Sequence, residues 1–491
     1  IANNRNLLKI DLTTLQIEDS FLIPLGKNNL MREIHIAKDA SIWIASIRGL
    51  FILDQTTRNI TQVEHKPNSR FSLPNNSIWT IKEDLKGNLW IGTYAGGLCY
   101  VNLDEKSPFK TYISKPEQLN NSTVSAFVED DEYLWIGTEG GGLNRMNKET
   151  KKFDYFVHRE GIKSLSNNNI KSLILDNKNQ LWIGTFRGGI DCLDTKTLSF
   201  KNFQKDENNP DGSLIVNNIR KLVEEKDAGI WIAYQEQSTR ISFLSYKDHS
   251  IQHYNLSKDN SEQFIFDMLR DKNNNLWILT RQKLFRMNVN TKETQEIIVS
   301  KNTSFNGQTF CLDMMDNLWI GTTGKGLIEY NIQNASSEIH DEVLNYNTSS
   351  IYSLLYDSNH AIWIGTDNGL FKYDIANKLY SQYDEHDGTQ GLVYYPLAAY
   401  QGKNDLLYFG GTSGFSIIEK NNLKDNTTEA KAFLTDFMID NIPTKLSEVY
   451  DATKNKILLT HNQANFSFKF SSDNYLLSEK NKFKYRLKGY H

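Results

Sequence analysis

Asn88-Leu89-Trp90-Ile91-Gly92-Thr93, followed by Tyr94-Ala95-Gly96-Gly97-Leu98, is the stretch from which the fold is read. Close copies are centred on Trp43, Trp135, Trp182, Trp231, Trp277, Trp319 and Trp363. With Trp90 in its place, successive tryptophans lie 47, 45, 47, 49, 46, 42 and 44 residues apart. A further 45 residues on, Leu407-Tyr408-Phe409-Gly410-Gly411-Thr412 keeps the pattern with Tyr in place of Trp. Self-similarity at such a period marks a repeat architecture.

Each copy has one internal grammar, which the repeat at Trp182 displays. Ile170 to Asp176 is an apolar strand candidate, and the polar turn Asn177 to Gln180 leads to a second strand, Leu181-Trp182-Ile183-Gly184-Thr185. Gly188-Gly189 bends the chain into Ile190 to Asp194, and Leu198 to Phe203 alternates as an exposed outer strand does. Four short strands per repeat form the unit of a β-propeller blade. No repeat carries a helical 3.6-residue pattern, so helical solenoids are excluded. The motif residues have packing roles: Trp wedges between neighbouring blades, Gly after it admits close backbone approach, and the Gly-Gly pair permits positive φ.

The chain of 491 residues exceeds one domain. Nine blades and a partial one are too many for one propeller of four to eight blades, so two propellers in tandem are expected. Counting back from Tyr408, a complete seven-bladed ring would begin with the Trp135 blade. We expect an all-β chain of tandem β-propellers, partial then complete, followed by a partial immunoglobulin-like β-sandwich. Residues 1–107 would be the last blades of the first propeller, 108–422 the second propeller, and 430–491 the incomplete sandwich. Phe109-Lys110-Thr111-Tyr112 suits an outer strand of either ring. In the last segment Asn465 to Phe470 and Lys482 to Gly489 alternate strictly. The chain opens and stops within a unit, and is expected to be a fragment.

Net charge is −4, with basic residues scattered, which excludes a nucleic-acid surface. Cys99, Cys192 and Cys311 all sit in strand patterns and read as small buried hydrophobes. The ten histidines are dispersed, without HExxH, paired Cys/His spacing or a GxSxG elbow. Neither a catalytic centre, a metal site nor a cofactor is therefore expected. Asp271-Lys272-Asn273-Asn274-Asn275 resembles a calcium loop but lacks its Gly and distal Glu, and reads as a hairpin turn.

The LWIGT-type repeats resemble the two-component-regulator propeller repeat. Asn465 to Gly489, with Tyr485-Arg486-Leu487, resembles the tyrosine-named β-sandwich that follows such arrays. The resemblance implies the extracytoplasmic sensor region of a hybrid two-component regulator that detects glycan breakdown products. It implies an oligosaccharide ligand, a periplasmic location, a homodimer through sandwich and propellers, and a membrane helix and kinase downstream. The region itself would not be an enzyme. A propeller lyase or glycoside hydrolase is the other class open to such a scaffold.

A ligand would meet the loops that join second to third strands around the central funnel. They carry Glu139, Phe186, Arg187, Tyr234, Gln235, Arg281, Lys325 and Asp367. Aromatic faces stack on sugar rings, and Arg or Lys holds carboxylate or sulfate groups. Arg187 is the leading candidate, because the Gly188-Gly189 bend holds it beside Phe186.

Overall fold

The structure is a computed structural model. It describes all residues except 1, 4–5, 25–29, 68–71, 85–86, 104–106, 258–262, 300–304, 344–347, 424–430, 452, 455, 476–482 and 484–491. Two compact units emerge, one of Ser107–Leu423 and one of Ile1–Lys106 with Lys424–His491.

Ser107–Leu423 is a ring of seven four-stranded antiparallel sheets. Six of them are built in simple up-and-down order, as in Ile170–Leu175, Gln180–Thr185, Ile190–Asp194 and Phe200–Phe203. The seventh is composite. Tyr394–Gln401, Leu406–Gly411 and Gly414–Glu419 form its three inner strands, and Phe109–Tyr112 from the start of the unit pairs as its outer strand. Phe109 faces Ile418 and Tyr112 faces Phe415 in the register. The ring is thus clasped by its own first strand, which leaves no unpaired edge between first and last blades. Tyr408, in the Trp position, packs beside Phe127 of the first blade and completes the circle.

The repeated residues explain why each blade forms. Trp135, Trp182, Trp231, Trp277, Trp319 and Trp363 are buried, each against the sheet that follows; Trp182 lies among Ile219, Leu222, Ile230 and Tyr246 of the next blade. Burying an indole leaves its N–H in need of an acceptor. An acidic side chain of the preceding turn supplies it. Trp182 Nε1 donates to Asp176 at 3.0 Å, Trp277 to Asp271 at 2.8 Å, Trp363 to Asp357 at 2.8 Å and Trp231 to Glu225 at 2.9 Å. The same aspartates fold the turn. Asp271 Oδ1 accepts the amides of Asn273 and Asn275, both at 2.8 Å. This local job accounts for the likeness of Asp271 to Asn275 to a calcium loop.

Gly and Thr of the motif are equally local. A Cβ on Gly184 would stand 2.7 Å from Ile219 of the next blade, so only glycine admits that approach. Thr185 Oγ1 donates to the Gly189 carbonyl at 2.9 Å and closes the bend, where Gly189 has φ of +78°.

In the other unit, four-stranded Met31–Ile36, Ile42–Ser46, Gly49–Leu53 and Ile60–Val63 stands between two three-stranded sheets, 2–3/6–10/17–22 and 78–83/89–93/98–101. Trp90 is only half-buried there, its ring edge-on to Tyr475 at 4.8 Å. A small sheet joins Ala432–Ile439 to Phe466–Ser472 and Ile442–Pro443. The alternating run from Lys482 to Gly489, including Tyr485, Arg486 and Leu487, lies outside the described residues apart from Phe483.

Candidate functional site

The first strand of nearly every blade carries a β-bulge one residue from its start. In the ring the pairing skips Ser125, Lys171, Arg220, Phe266, Gln308 and Tyr352, and Tyr395 occupies the same place in the composite blade. A bulge re-aims its side chain and breaks the ladder. Because the first strands line the central channel, these seven residues encircle the channel mouth, at the end where the second-to-third-strand loops emerge. The residue before each of them is buried, as Ile170 is before Lys171. The bulge position itself varies freely from blade to blade.

Lys171 is the hub of a cluster at this mouth. Its Nζ lies 2.7 Å from Glu139 Oε1 and donates to Tyr395 Oη at 3.2 Å. It also stands over the rings of Phe186 at 5.6 Å and Tyr395 at 5.8 Å. Burial raises the Tyr395 hydroxyl's pKa, and the charge of Glu139 adds to the shift. Arg220, half-buried on the next blade, donates from Nε to the Phe266 carbonyl at 3.1 Å. Burial lowers the pKa of its guanidinium, with Asp267, Tyr395 and Glu139 acting in the opposite sense. Below the mouth, a cavity of about 310 Å³ is lined by Lys221, Asp267, Thr309 and Ser353 among apolar side chains. Asp267 there accepts Thr309 Oγ1 at 3.0 Å and faces Lys221 at 3.6 Å.

The residues expected from the loops divide into three groups. Glu139 and Phe186 join the Lys171 cluster directly. Arg187 is exposed, adopts φ of +66°, and places its guanidinium 5.0 Å from the Phe186 ring centre. It makes no ion pair among the described residues, so the charge faces solvent. Gln235 sits at the same end, its amide held by the Asn218 carbonyl at 2.8 Å. Gln235 Oε1 and Glu236 Oε1 are buried and accept no hydrogen bond from the described residues, which leaves acceptors available to a donor from outside. Arg281 is exposed and Lys325 half-buried on their own loops.

Two residues are corrected. Tyr234 was expected to present a stacking face, but it is 1% exposed and its hydroxyl donates to Ser242 Oγ at 2.7 Å. The reason is register: Tyr234 occupies the motif's Thr position, which points into the blade in every repeat, and burial pushes its phenol up to about 12. Asp367 is consumed by the turn between blades, accepting the Ser349 amide at 3.0 Å and the Ser349 hydroxyl. Conversely, Lys171, Arg220 and Tyr395 were missed, because they belong to strands rather than loops.

The N-terminal unit repeats this arrangement at its own bulges, Arg32 and Trp79. Arg32 Nη1 donates to the Ile78 carbonyl at 3.0 Å, and its guanidinium lies 4.5 Å from the Trp79 ring centre. Trp79 in turn stacks on Tyr94 at 6.0 Å and 22°, with 52% and 71% of the two residues exposed. An aromatic platform of this kind is open to a flat or ring-shaped ligand.

Comparison with known proteins places these repeats. Residues 72–95, 164–187 and 345–368 match the model of the two component regulator propeller family. Each segment contains a bulge residue and an LWIGT-type strand. A histidine kinase of Formosa agariphila, Histidine kinase P4, is 31% identical over 148 residues, which is 29% of this chain and 11% of that protein. Among solved structures, the extracellular domain of the hybrid two component system BT3049 from B. thetaiotaomicron matches with a TM-score of 0.74 and 22% identity, over 96% of this chain and 61% of that one. The corresponding domain of BT4673 from the same organism gives a TM-score of 0.54 at 22% identity, over 95% and 63%. This chain therefore spans under two thirds of these solved relatives and a small part of the kinase. Three of its repeats match the two component regulator propeller repeat, and its fold is similar to that of the extracellular domain of the hybrid two component system BT3049.

Proposed function

We propose that the protein is the ligand-sensing region of a hybrid two-component regulator, that it works in the periplasm, and that it binds a glycan-derived oligosaccharide at the channel mouth of the seven-bladed ring. The observation that carries this reading is the Lys171 cluster with its rim. A cation, a carboxylate and the rings of Phe186 and Tyr395 converge within hydrogen-bonding and stacking distance of one another. Exposed Arg187 and the buried oxygens of Gln235 and Glu236 extend the set. Rings stack on the apolar faces of sugars, the acceptors suit sugar hydroxyls, and a guanidinium free of an ion pair suits a uronate or sulfate. An acidic oligosaccharide fits this combination better than a neutral one. Output through a kinase and assembly as a homodimer belong to the same proposal and rest on the likeness to hybrid systems alone.

The test is calorimetric titration of the whole chain with neutral, uronate-containing and sulfated oligosaccharides. For a binding sugar, Arg187→Ala and Phe186→Ala should each weaken affinity by about tenfold, equivalent to about 1.4 kcal/mol. Tyr234→Phe should leave it unchanged. If both loop variants bind as the parent does, the mouth is not the site. Breakdown of the sugar in the calorimeter cell would point instead to a propeller lyase or hydrolase.

A further inference from the structure

We propose that the outer hairpin of the Trp319 blade, Leu327–Asn331 paired with Ser336–His340, is a binding site for a divalent cation of the zinc class, with Glu329, Glu338 and His340 as ligands. One atom from each of the three side chains lies within 4.8 Å of the other two.

The repeats provide an internal control that makes this hairpin stand out. Glu329 is directly opposite Glu338. The equivalent pairs in the other up-and-down blades are Arg145–Asp154, Cys192–Lys201, Phe243–Gln252, Arg286–Gln295 and Lys372–Ser381, and in the composite blade Ile417–Lys110, none of them like-charged. Like charges directly opposite on a ladder are destabilising, and Lys378 Nζ, 2.7 Å from Glu338 Oε1, offsets one of them. Two residues beyond Glu338, four sister blades carry Phe156, Phe203, Tyr254 and Tyr383, each ring clamping its blade's Trp at 5.3–5.8 Å between centres, and the Trp277 blade carries the apolar Ile297. In this blade the clamp is His340, 5.4 Å from Trp319. Both departures from the repeat therefore fall in one hairpin and face each other.

The imidazole supplies the second observation. His340 is 3% exposed, yet its Nε2 has no hydrogen-bond partner among the described residues and points to Glu329 Oε2 across 3.5 Å. Its Nδ1 is 3.1 Å from Tyr373 Oη. With the proton on Nδ1 donated to Tyr373, Nε2 carries a lone pair towards the two carboxylates. A hydrogen bond on the far nitrogen is the usual way a ligating histidine is oriented. Two ligands about 2.1 Å from one zinc ion lie at most about 4.2 Å apart, so a rotamer change of exposed Glu338 closes the set. One histidine and two carboxylates suit zinc, cobalt(II) or nickel(II) better than calcium, which takes oxygen alone.

The chelator-stripped chain is titrated with zinc chloride at neutral pH by calorimetry, and with cobalt(II) by absorption. The expected result is one site per chain, at least about tenfold weaker in Glu329→Gln and lost in His340→Phe. His340→Phe restores the ring of the sister blades, so its melting temperature without metal should match or exceed the parent's. Zinc should raise the melting temperature of the parent and leave that of His340→Phe unmoved. Equal zinc affinity in the parent, His340→Phe and Glu329→Gln, or no binding to the parent, overturns the proposal. Should His340→Phe fail to fold, the isosteric Glu329→Gln decides alone.

Discussion

Replacing Trp182 with alanine tests how the blades are held together. Trp182 is 2% exposed and packs between its own sheet and the next one. A buried indole removes about 200 Å² from water, which at about 25 cal/mol per Å² amounts to about 5 kcal/mol. Alanine recovers little of this, and large-to-small substitutions of buried aromatics cost about 3–5 kcal/mol. The indole N–H also satisfies Asp176 Oδ2 at 3.0 Å. Losing that donor from a carboxylate that is 6% exposed adds about 1–3 kcal/mol. Trp182→Phe separates the two contributions, because it keeps a ring and removes the donor; it should cost about 2 kcal/mol, well below Trp182→Ala. Urea unfolding followed by far-ultraviolet circular dichroism reads both, since removing one Trp does not disturb that signal. A Trp182→Ala midpoint equal to the parent's would refute the wedge role. Equal costs for the two variants would refute the Asp176 contribution.

Two further outcomes follow from the ring. A chain beginning at Glu117 lacks the clasp strand Phe109–Tyr112 and exposes the edge of Gly414–Glu419; its ring should melt below that of the complete chain and be cut faster by protease, and equal stability would mean the clasp does not hold the ring. Asp191, buried and accepting Ser166 N at 2.9 Å and Ser166 Oγ at 2.8 Å, has its pKa raised, chiefly by burial. A raised carboxyl favours the folded state fully below its unfolded pKa, and that contribution is lost as pH rises through the folded value. Asp191→Asn should therefore be more stable than the parent at neutral pH and lose this part of the pH dependence, as Asn144 at the equivalent place in the Trp135 blade suggests. A variant less stable than the parent at pH 7 would show that the hydrogen bonds outweigh burial.

The fold was legible because each repeat states it locally. Trp, Gly and Thr of the motif act within one blade or on its neighbour, so a sequence period of about 45 residues translates into a sheet without long-range information. The closure was not legible from Phe109–Tyr112. An outer strand alternates alike in any blade, and the pairing with Phe415–Ile418 lies some three hundred residues away. The acidic partner of each Trp was overlooked for the opposite reason. Asp271 reads as a turn residue, which it is, while its second oxygen serves the indole six positions later, as that of Asp176 does in its blade.

The candidate site shows where a repeat hides its variation. A search of the loops found Glu139, Phe186 and Arg187, because the bend after Thr185 is visible as Gly188-Gly189. It also drew in Tyr234, one residue too early, since the absent Gly-Gly pair removed the mark that fixes register in that blade. The bulge residues escaped because they sit inside apolar strands, where Lys171 or Arg220 reads as an ordinary solvent-facing position of an alternating pattern. Aligning the repeats on Ile170, Ile219, Ile265 and Ile351 exposes them: the first residue of each strand is the same isoleucine, whereas the second runs through Lys, Arg, Phe and Tyr. Packing fixes the residue before the bulge, and the bulge turns the next one out of the ladder towards the channel. A position released from packing in every blade, and directed to one point by the ring, can change without cost to the fold. The same reasoning singles out the Trp319 hairpin. There an outer pair and the clamp position both depart from the repeat, Glu329 and Glu338 opposing each other and His340 replacing a ring. Variation at a bulge costs the ring nothing, but variation at a clamp costs packing, and a bound cation would return what the lost ring and the facing carboxylates take away.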